Sequence, residues 1–213
     1  MNDNLQQYGP KEDFDFETIK GGTEVKIVGY KGNNAEVRIP PTLRNLLVTI
    51  IEERAFVGFV YKREPTANGV RHIAEREFTS ITIPTGVTHI EKWAFVGSKL
   101  TSFVIQESVT HIGEMAFFGT QFASVEILEG VTCIARETFH LNRLASIVIP
   151  KGVTHIGKRA FSCNKLTWVN IPASVTRIRK MAFAYNKLSS VHLLDGLTRV
   201  ARDAFAWNPL ADR

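Results

Sequence analysis

The sequence predicts an α/β solenoid of about eight stacked coils, each of 22 residues, and three observations carry that prediction. Phe95, Phe117, Phe139, Phe161, Phe183 and Phe205 fall 22 residues apart. Two apolar columns keep the same period: Val87, Val109, Val131, Val153, Val175, Leu197, and Ile90, Ile112, Ile134, Ile156, Ile178, Val200. A third column holds Leu100, Phe122, Leu144, Leu166, Leu188 and Leu210. A unit this short cannot enclose a core alone, so neighbouring copies must stack and bury these columns as continuous rows.

Taken in chain order, residues 1–20 contain Asp3, Glu12, Asp13, Asp15 and Glu17 and are expected to form a flexible acidic leader. Thr23 to Tyr30 alternates as a strand does, Lys31 to Asn34 has turn chemistry, and Ala35 to Pro40 enters the first repeat strand. This predicts an N-terminal β-hairpin cap over 21–36, covering the apolar end of a solenoid that occupies 37–213. Regularity fails early in the array. Phe56 and Phe78 keep the 22-residue spacing, but Glu64 and Thr66 stand where Phe103 and Ile105 do, and only 17 residues separate Phe78 from Phe95. A pinched coil and a bulging neighbour are expected around 59–80.

The clearest coil starts at Ile149. In Leu166 to Ile171, Val169 and Ile171 alternate with polar residues, the spacing of a strand with one buried face, and Pro172 ends it. Val175 to Ile178 is a second short extended piece, whereas Arg179 to Phe183 reads as one helical or 3₁₀ turn. Asn142, Asn164, Asn186 and Asn208 form a column preceded by Thr120 and Ser98, and short polar side chains there can satisfy turn amides. After Asn208 no matching cap is visible, so the last coil is expected either to be closed by Asn208 to Arg213 or to be covered by another segment or by a second subunit in an oligomer.

The pattern Leu-Thr-Ser-x-x-Ile-Pro-x-x-Val-Thr-x-Ile-Gly-x-x-Ala-Phe is written in Leu100-Thr101-Ser102, Ile149-Pro150, Val153-Thr154-His155-Ile156-Gly157 and Ala160-Phe161. It resembles the BspA-like (treponemal-type) leucine-rich repeat family over residues 37–213. The resemblance implies a right-handed solenoid with a parallel sheet on its concave side and short strands and helical turns on the other. It also implies a bacterial or protist surface protein, secreted or displayed, that binds host matrix proteins or other cells. Fold analogy alone does not name a ligand.

Composition suits one domain, with 44% hydrophobic residues in 213. No apolar run approaches the roughly 20 residues of a spanning helix. Met1 to Leu5 lacks the basic and apolar regions of a signal peptide, so a cell-surface or secreted location rests on the resemblance. Cys133 and Cys163 occupy different positions around the coil and are expected to stay unpaired.

The net charge of +5 hides an asymmetry: residues 1–150 hold 15 basic and 18 acidic side chains, residues 151–213 hold 11 and 3. Lys158, Lys180 and Arg202 form one column, Arg177 and Arg199 a second, Lys165 and Lys187 a third. Such an end attracts polyanions, sulfated glycans among them. Nucleic acid lacks support, because no recognisable motif accompanies the charge.

Side chains alternating with the buried strand residues form the columns Ser80, Ser102, Ser124, Ser146, Trp168, Ser190 and Thr82, Val104, Glu126, Val148, Asn170, His192. Trp168 breaks a row of serines and offers an interface anchor, with Glu126, Val148, Asn170 and His192 around it. His72, His89, His111, Cys133 and His155 share another column, with neighbours expected ~5 Å apart. Imidazole and thiolate are zinc ligands, but a linear ladder does not wrap a cation, so no metal site is expected. No phosphate loop or nucleophile motif appears. The sequence therefore reads as a noncatalytic adhesion or protein-interaction module without cofactor, binding a host or cell-surface protein, with the sulfated-glycan surface as the alternative.

Overall fold

The computed structural model describes residues 8–58, 65–66, 69–70, 77–193 and 196–210. Alternating buried and exposed residues in each coil produce two columns of short parallel strands. The first column runs through Glu36–Arg38, Ser80–Thr82, Val104–Ile105, Glu126–Ile127, Trp168–Ile171 and Ser190–Leu193, and an isolated bridge from Val148 to Asn170 continues it. The second starts at Glu24–Tyr30 and Leu46–Ile51, then follows His89–Ile90, His111–Ile112, Cys133–Ile134, His155–Ile156, Arg177–Ile178 and Arg199–Val200. Helix among the described residues is limited to one 3₁₀ turn, Lys11–Asp13, since Lys20–Gly22 has φ of 50°, 67° and 88° and is a left-handed turn. The fold is thus a β-solenoid and not the expected α/β arrangement.

Backbone conformation explains why the expected helical turn is absent. Ala182 N–H donates to Arg179 O at 3.2 Å, closing a β-turn in which Met181 has φ 57°. Arg54, Trp93, Met115, Glu137 and Arg159 hold the same left-handed place in their coils. A left-handed third residue belongs to a type II-like turn and interrupts any right-handed helix. Four residues on, Gly97, Gly119, Leu141, Cys163, Tyr185 and Trp207 form a second left-handed column. From the coil of Trp93 to that of Met181, each coil therefore reverses through two turns instead of one helix.

The core is a ladder of rings. Phe56, Phe95, Phe117, Phe139, Phe161, Phe183 and Phe205 stack with centroids 5.1 to 5.6 Å apart. Phe78 is not a rung: it packs at 74° against Phe56, which stacks directly on Phe95. The strands agree, since Leu46–Ile51 pairs with His89–Ile90 and Glu36–Arg38 pairs with Ser80–Thr82. The solenoid accordingly has about seven turns, and counting Phe78 as a rung is what made eight. Pro65–Thr66 and Gly69–Val70 pair antiparallel. Residues 59–64, 67–68 and 71–76 of the segment expected to pinch and bulge, Glu64 and His72 among them, lie outside the described residues.

The N-terminal hairpin differs from expectation in its pairing. Glu24–Tyr30 is a strand, but its antiparallel partner is Phe14–Ile19; Ala35 to Pro40 enters the first strand column as expected. Gly21 and Gly22, at φ 67° and 88°, carry the intervening turn. Residues 14–19 thus belong to the sheet and not to a flexible leader. Phe14 packs on Tyr30, which in turn contacts Phe56 and Phe78, so hairpin rings continue the aromatic core.

The asparagine column satisfies the buried turn. Asn164 Nδ2 donates to Phe139 O and Phe161 O, while Asn164 Oδ1 accepts from Leu144 N–H. Asn186 and Asn208 repeat the arrangement one and two coils on. Thr120 donates to Asn142 Oδ1 at 2.7 Å, and Ser98 donates to Phe95 O. Among the described residues no fully buried side-chain polar atom lacks a partner.

Candidate binding faces

The first strand column presents its alternate residues outward because Val169 and Ile171 are buried beneath it. Trp168 is 49% exposed and Val148 75% exposed, unusually open for large apolar side chains. They line one groove of about 290 Å³ together with Asn170, Pro150, Pro172, Lys151 and Glu129. Strand register aligns Trp168 with Ser190, Asn170 with His192, and Val148 with Asn170. Glu126 is opposite Val104 and lines a separate groove of about 480 Å³ with Ser80, Ser102 and Ser124. The face therefore brings Trp168, Val148, Asn170 and His192 together and leaves Glu126 beside them.

The basic columns are less uniform than their spacing suggests. Arg177 is opposite Arg199 in adjacent strands, so these two charges do stack. Lys180 Nζ lies 3.6 Å from Asp203, which offsets part of the Lys158, Lys180, Arg202 column. In the histidine column His89 and His111 rings lie 5.5 Å apart, and His89 and His155 each engage the preceding threonine hydroxyl through Nδ1. Cys133 and Cys163 are free thiols. Among the described residues no group of three or more His, Cys, Asp or Glu is placed to hold a metal ion.

Two features escaped the reading of the sequence. Tyr185 and Trp207 stack with centroids 4.4 Å apart and planes 4° apart, although both are exposed. Their 22-residue separation was visible, but nothing in the letters marks a left-handed turn filled by an aromatic. His140 is half-buried between Phe118 and Ser162, its Nδ1 2.9 Å from Ser162 O, a contact in which the ring must donate. Burial holds its pKa below the ordinary histidine value, against the hydrogen bond to Ser162 and the charge of Glu137, with Arg159 acting in the same direction as burial.

The repeat matches the BspA type leucine rich repeat region in six copies, over residues 33–121 and 88–211. The chain belongs to this family. Among solved structures, this BspA-type chain is similar to a leucine rich cell surface protein of Faecalibacterium prausnitzii A2-165, at TM-score 0.60 and 25% identity, over 88% of this chain and 55% of that one. A leucine-rich repeat protein of Bacteroides ovatus matches at TM-score 0.50 and 25% identity, over 90% of this chain and 40% of its own. The pneumococcal vaccine antigen PcpA shares the fold at 16% identity and TM-score 0.50, with 86% and 69% covered. The BspA-type chain thus spans about half the length of the first two proteins. No curated protein matches it. No helix among the described residues is long and apolar enough to cross a membrane.

Proposed function

We propose that this BspA-type solenoid is a noncatalytic protein-interaction module whose partner is a host or cell-surface protein, bound on the strand face around Trp168. The observation that carries the reading is the exposure of Trp168 and Val148 in one groove, on adjacent coils bridged through Val148 and Asn170. An indole that supplies apolar area and one donor from a rigid strand suits an interface anchor, because little entropy is lost when it is covered. Asn170 and His192 form a polar rim. The family resemblance supports a concave position for this face, and likeness to a cell surface protein supports a surface location for this chain too.

The test is binding of the purified chain to immobilised matrix proteins at low and high salt, with Trp168→Ala in parallel. Salt-resistant binding weakened roughly 30-fold in the variant is expected, the effect of losing a hot-spot anchor. Binding that ignores the substitution sinks the reading.

The second reading is polyanion capture by Lys158, Lys180, Arg202, Arg177 and Arg199, and the stacked pair Arg177 and Arg199 favours it. Such binding collapses at high salt through screening, whereas apolar contact at Trp168 persists.

A further inference from the structure

Tyr185 and Trp207 have φ 56° and 54°, at the turn position that Gly97 and Gly119 fill in earlier coils. Bulky side chains are rare in this conformation, and glycine takes it without strain. The rings are also 45% and 59% exposed, so burial does not repay the choice. Leu141 and Cys163 take the same conformation in the coils between, so what sets Tyr185 and Trp207 apart is an exposed aromatic pair stacked on itself at this position.

The pair has cationic neighbours. Lys187 follows Tyr185 by two residues and Lys165 follows Cys163 by two, and all but the half-buried Cys163 are exposed. Lys165 N–H donates to Leu144 O and Lys187 N–H to Leu166 O, both at 2.9 Å. Tyr185 N–H donates to Ala206 O at 3.1 Å. Backbone pairing thus advances the lysine row and the aromatic row together, one coil at a time. Residues 151–213 carry 11 basic against 3 acidic side chains, so the surrounding field is positive.

We infer that this ridge is a binding site for an anionic glycan chain, its sugar rings against Tyr185 and Trp207 and its sulfate or carboxylate groups on Lys165 and Lys187. The inference shares the cationic C-terminal coils with the second reading above but rests on other residues. A glycan carries apolar C–H patches and anions on the same unit, which is what an aromatic row beside an ammonium row engages. The indole N–H and the phenol add donors suited to anionic oxygens. A nucleic acid base would have to enter between rings already closed on each other at 4.4 Å. An acidic peptide needs the lysines but not the aromatic pair.

The experiment titrates heparin oligosaccharide and oligogalacturonate into the chain by calorimetry near physiological salt, with oligo-dT and polyglutamate as comparisons. The variants are Tyr185→Gly with Trp207→Gly, Tyr185→Leu with Trp207→Leu, Lys165→Gln with Lys187→Gln, and Arg177→Gln with Arg199→Gln, each checked for an unchanged melting temperature. Binding of at least one glycan, weakened about tenfold by either aromatic pair and by the lysine pair but not by the arginine pair, is expected. Preference for heparin assigns sulfate as the anion; equal binding of oligogalacturonate assigns carboxylate. Glycan binding that ignores both aromatic pairs overturns the inference, and if the arginine pair abolishes it the second reading alone survives. Absence of glycan binding, or aromatic-dependent binding confined to oligo-dT or polyglutamate, also overturns it.

Discussion

The Asn164 amide donates to the Phe139 carbonyl, 25 residues earlier, at 2.9 Å. The same group donates to Phe161 O at 3.0 Å, and Oδ1 accepts from Leu144 N–H at 3.0 Å. One side chain therefore closes its own turn and fastens it to the coil before. Only an amide offers two donor hydrogens and an acceptor together, so serine, with one O–H, and aspartate, which only accepts, cannot make the whole set.

Asn164→Ala should destabilise the fold by about 2–4 kcal/mol, because Phe139 O and the Leu144 N–H are left buried and unpaired at ~1–2 kcal/mol each, while Phe161 O keeps its bond from Asn186. Urea unfolding measures this. A loss under ~1 kcal/mol would mean that water replaces the amide.

The phenylalanine ladder makes a graded prediction. Phe161 is fully buried and stacks on Phe139 and Phe183, whereas Phe205 is 6% exposed and stacks on Phe183 alone. Phe161→Ala should cost about 3–5 kcal/mol, the range for emptying a core aromatic site, and Phe205→Ala clearly less. Equal losses from the two in chemical denaturation would show that coil stacking is not what the rings stabilise.

Gly157 is needed for close approach and not for a left-handed backbone. A Cβ there would lie 2.6 Å from Ala135 C and 2.7 Å from Arg136 N, both backbone atoms of the preceding coil. Gly157→Ala should destabilise by roughly 1–3 kcal/mol through overpacking, read from the unfolding midpoint. An unchanged midpoint would mean that the coils slide apart freely.

What the sequence revealed follows from periodicity. The three apolar columns are buried as far as Val175, Ile178 and Leu188, but in the last coil Leu197 and Leu210 are only partly buried and Val200 is 38% exposed; the asparagine column is structural. Errors arose where period and geometry part. Phe78 sits 22 residues after Phe56 yet packs edge-on, because the strands rejoin from Leu46–Ile51 to His89–Ile90 without a rung at Phe78. Phe14 and Phe16 alternate with Asp15 and Glu17 as a strand does, but local acidity obscured a pairing that only the distant contact of Tyr30 with Phe56 rewards. Trp168 stood out as a break in a serine row, whereas Tyr185 and Trp207 needed the backbone dihedrals to stand out.

His140 predicts a pH dependence. Its folded pKa lies below the ordinary value of 6.5, with burial the main cause. The unfolded chain therefore takes up the proton first as pH falls, so the contribution is fully present above ~6.5 and is lost as pH drops through the lower folded pKa. His140→Gln keeps a donor for Ser162 O and removes the titration. The stability difference between wild type and variant should shift against wild type from about pH 7 to 5, and a pH-independent difference in denaturation midpoints refutes it.

Tyr185 and Trp207 set two opposing terms against each other. A left-handed conformation costs an L-residue ~1–2 kcal/mol that glycine avoids, but glycine raises the entropy of the unfolded chain by ~0.5–1 kcal/mol, and the stacked pair contributes about 0.5–1.5 kcal/mol. The terms nearly cancel, so Tyr185→Gly with Trp207→Gly should change stability by less than about 1 kcal/mol, without disturbing the Tyr185 N–H bond to Ala206 O. Urea unfolding of the double variant decides it. A loss of several kcal/mol would make the pair a structural clamp, whereas near-neutrality leaves its exposed stacking unexplained by folding and available for a ligand.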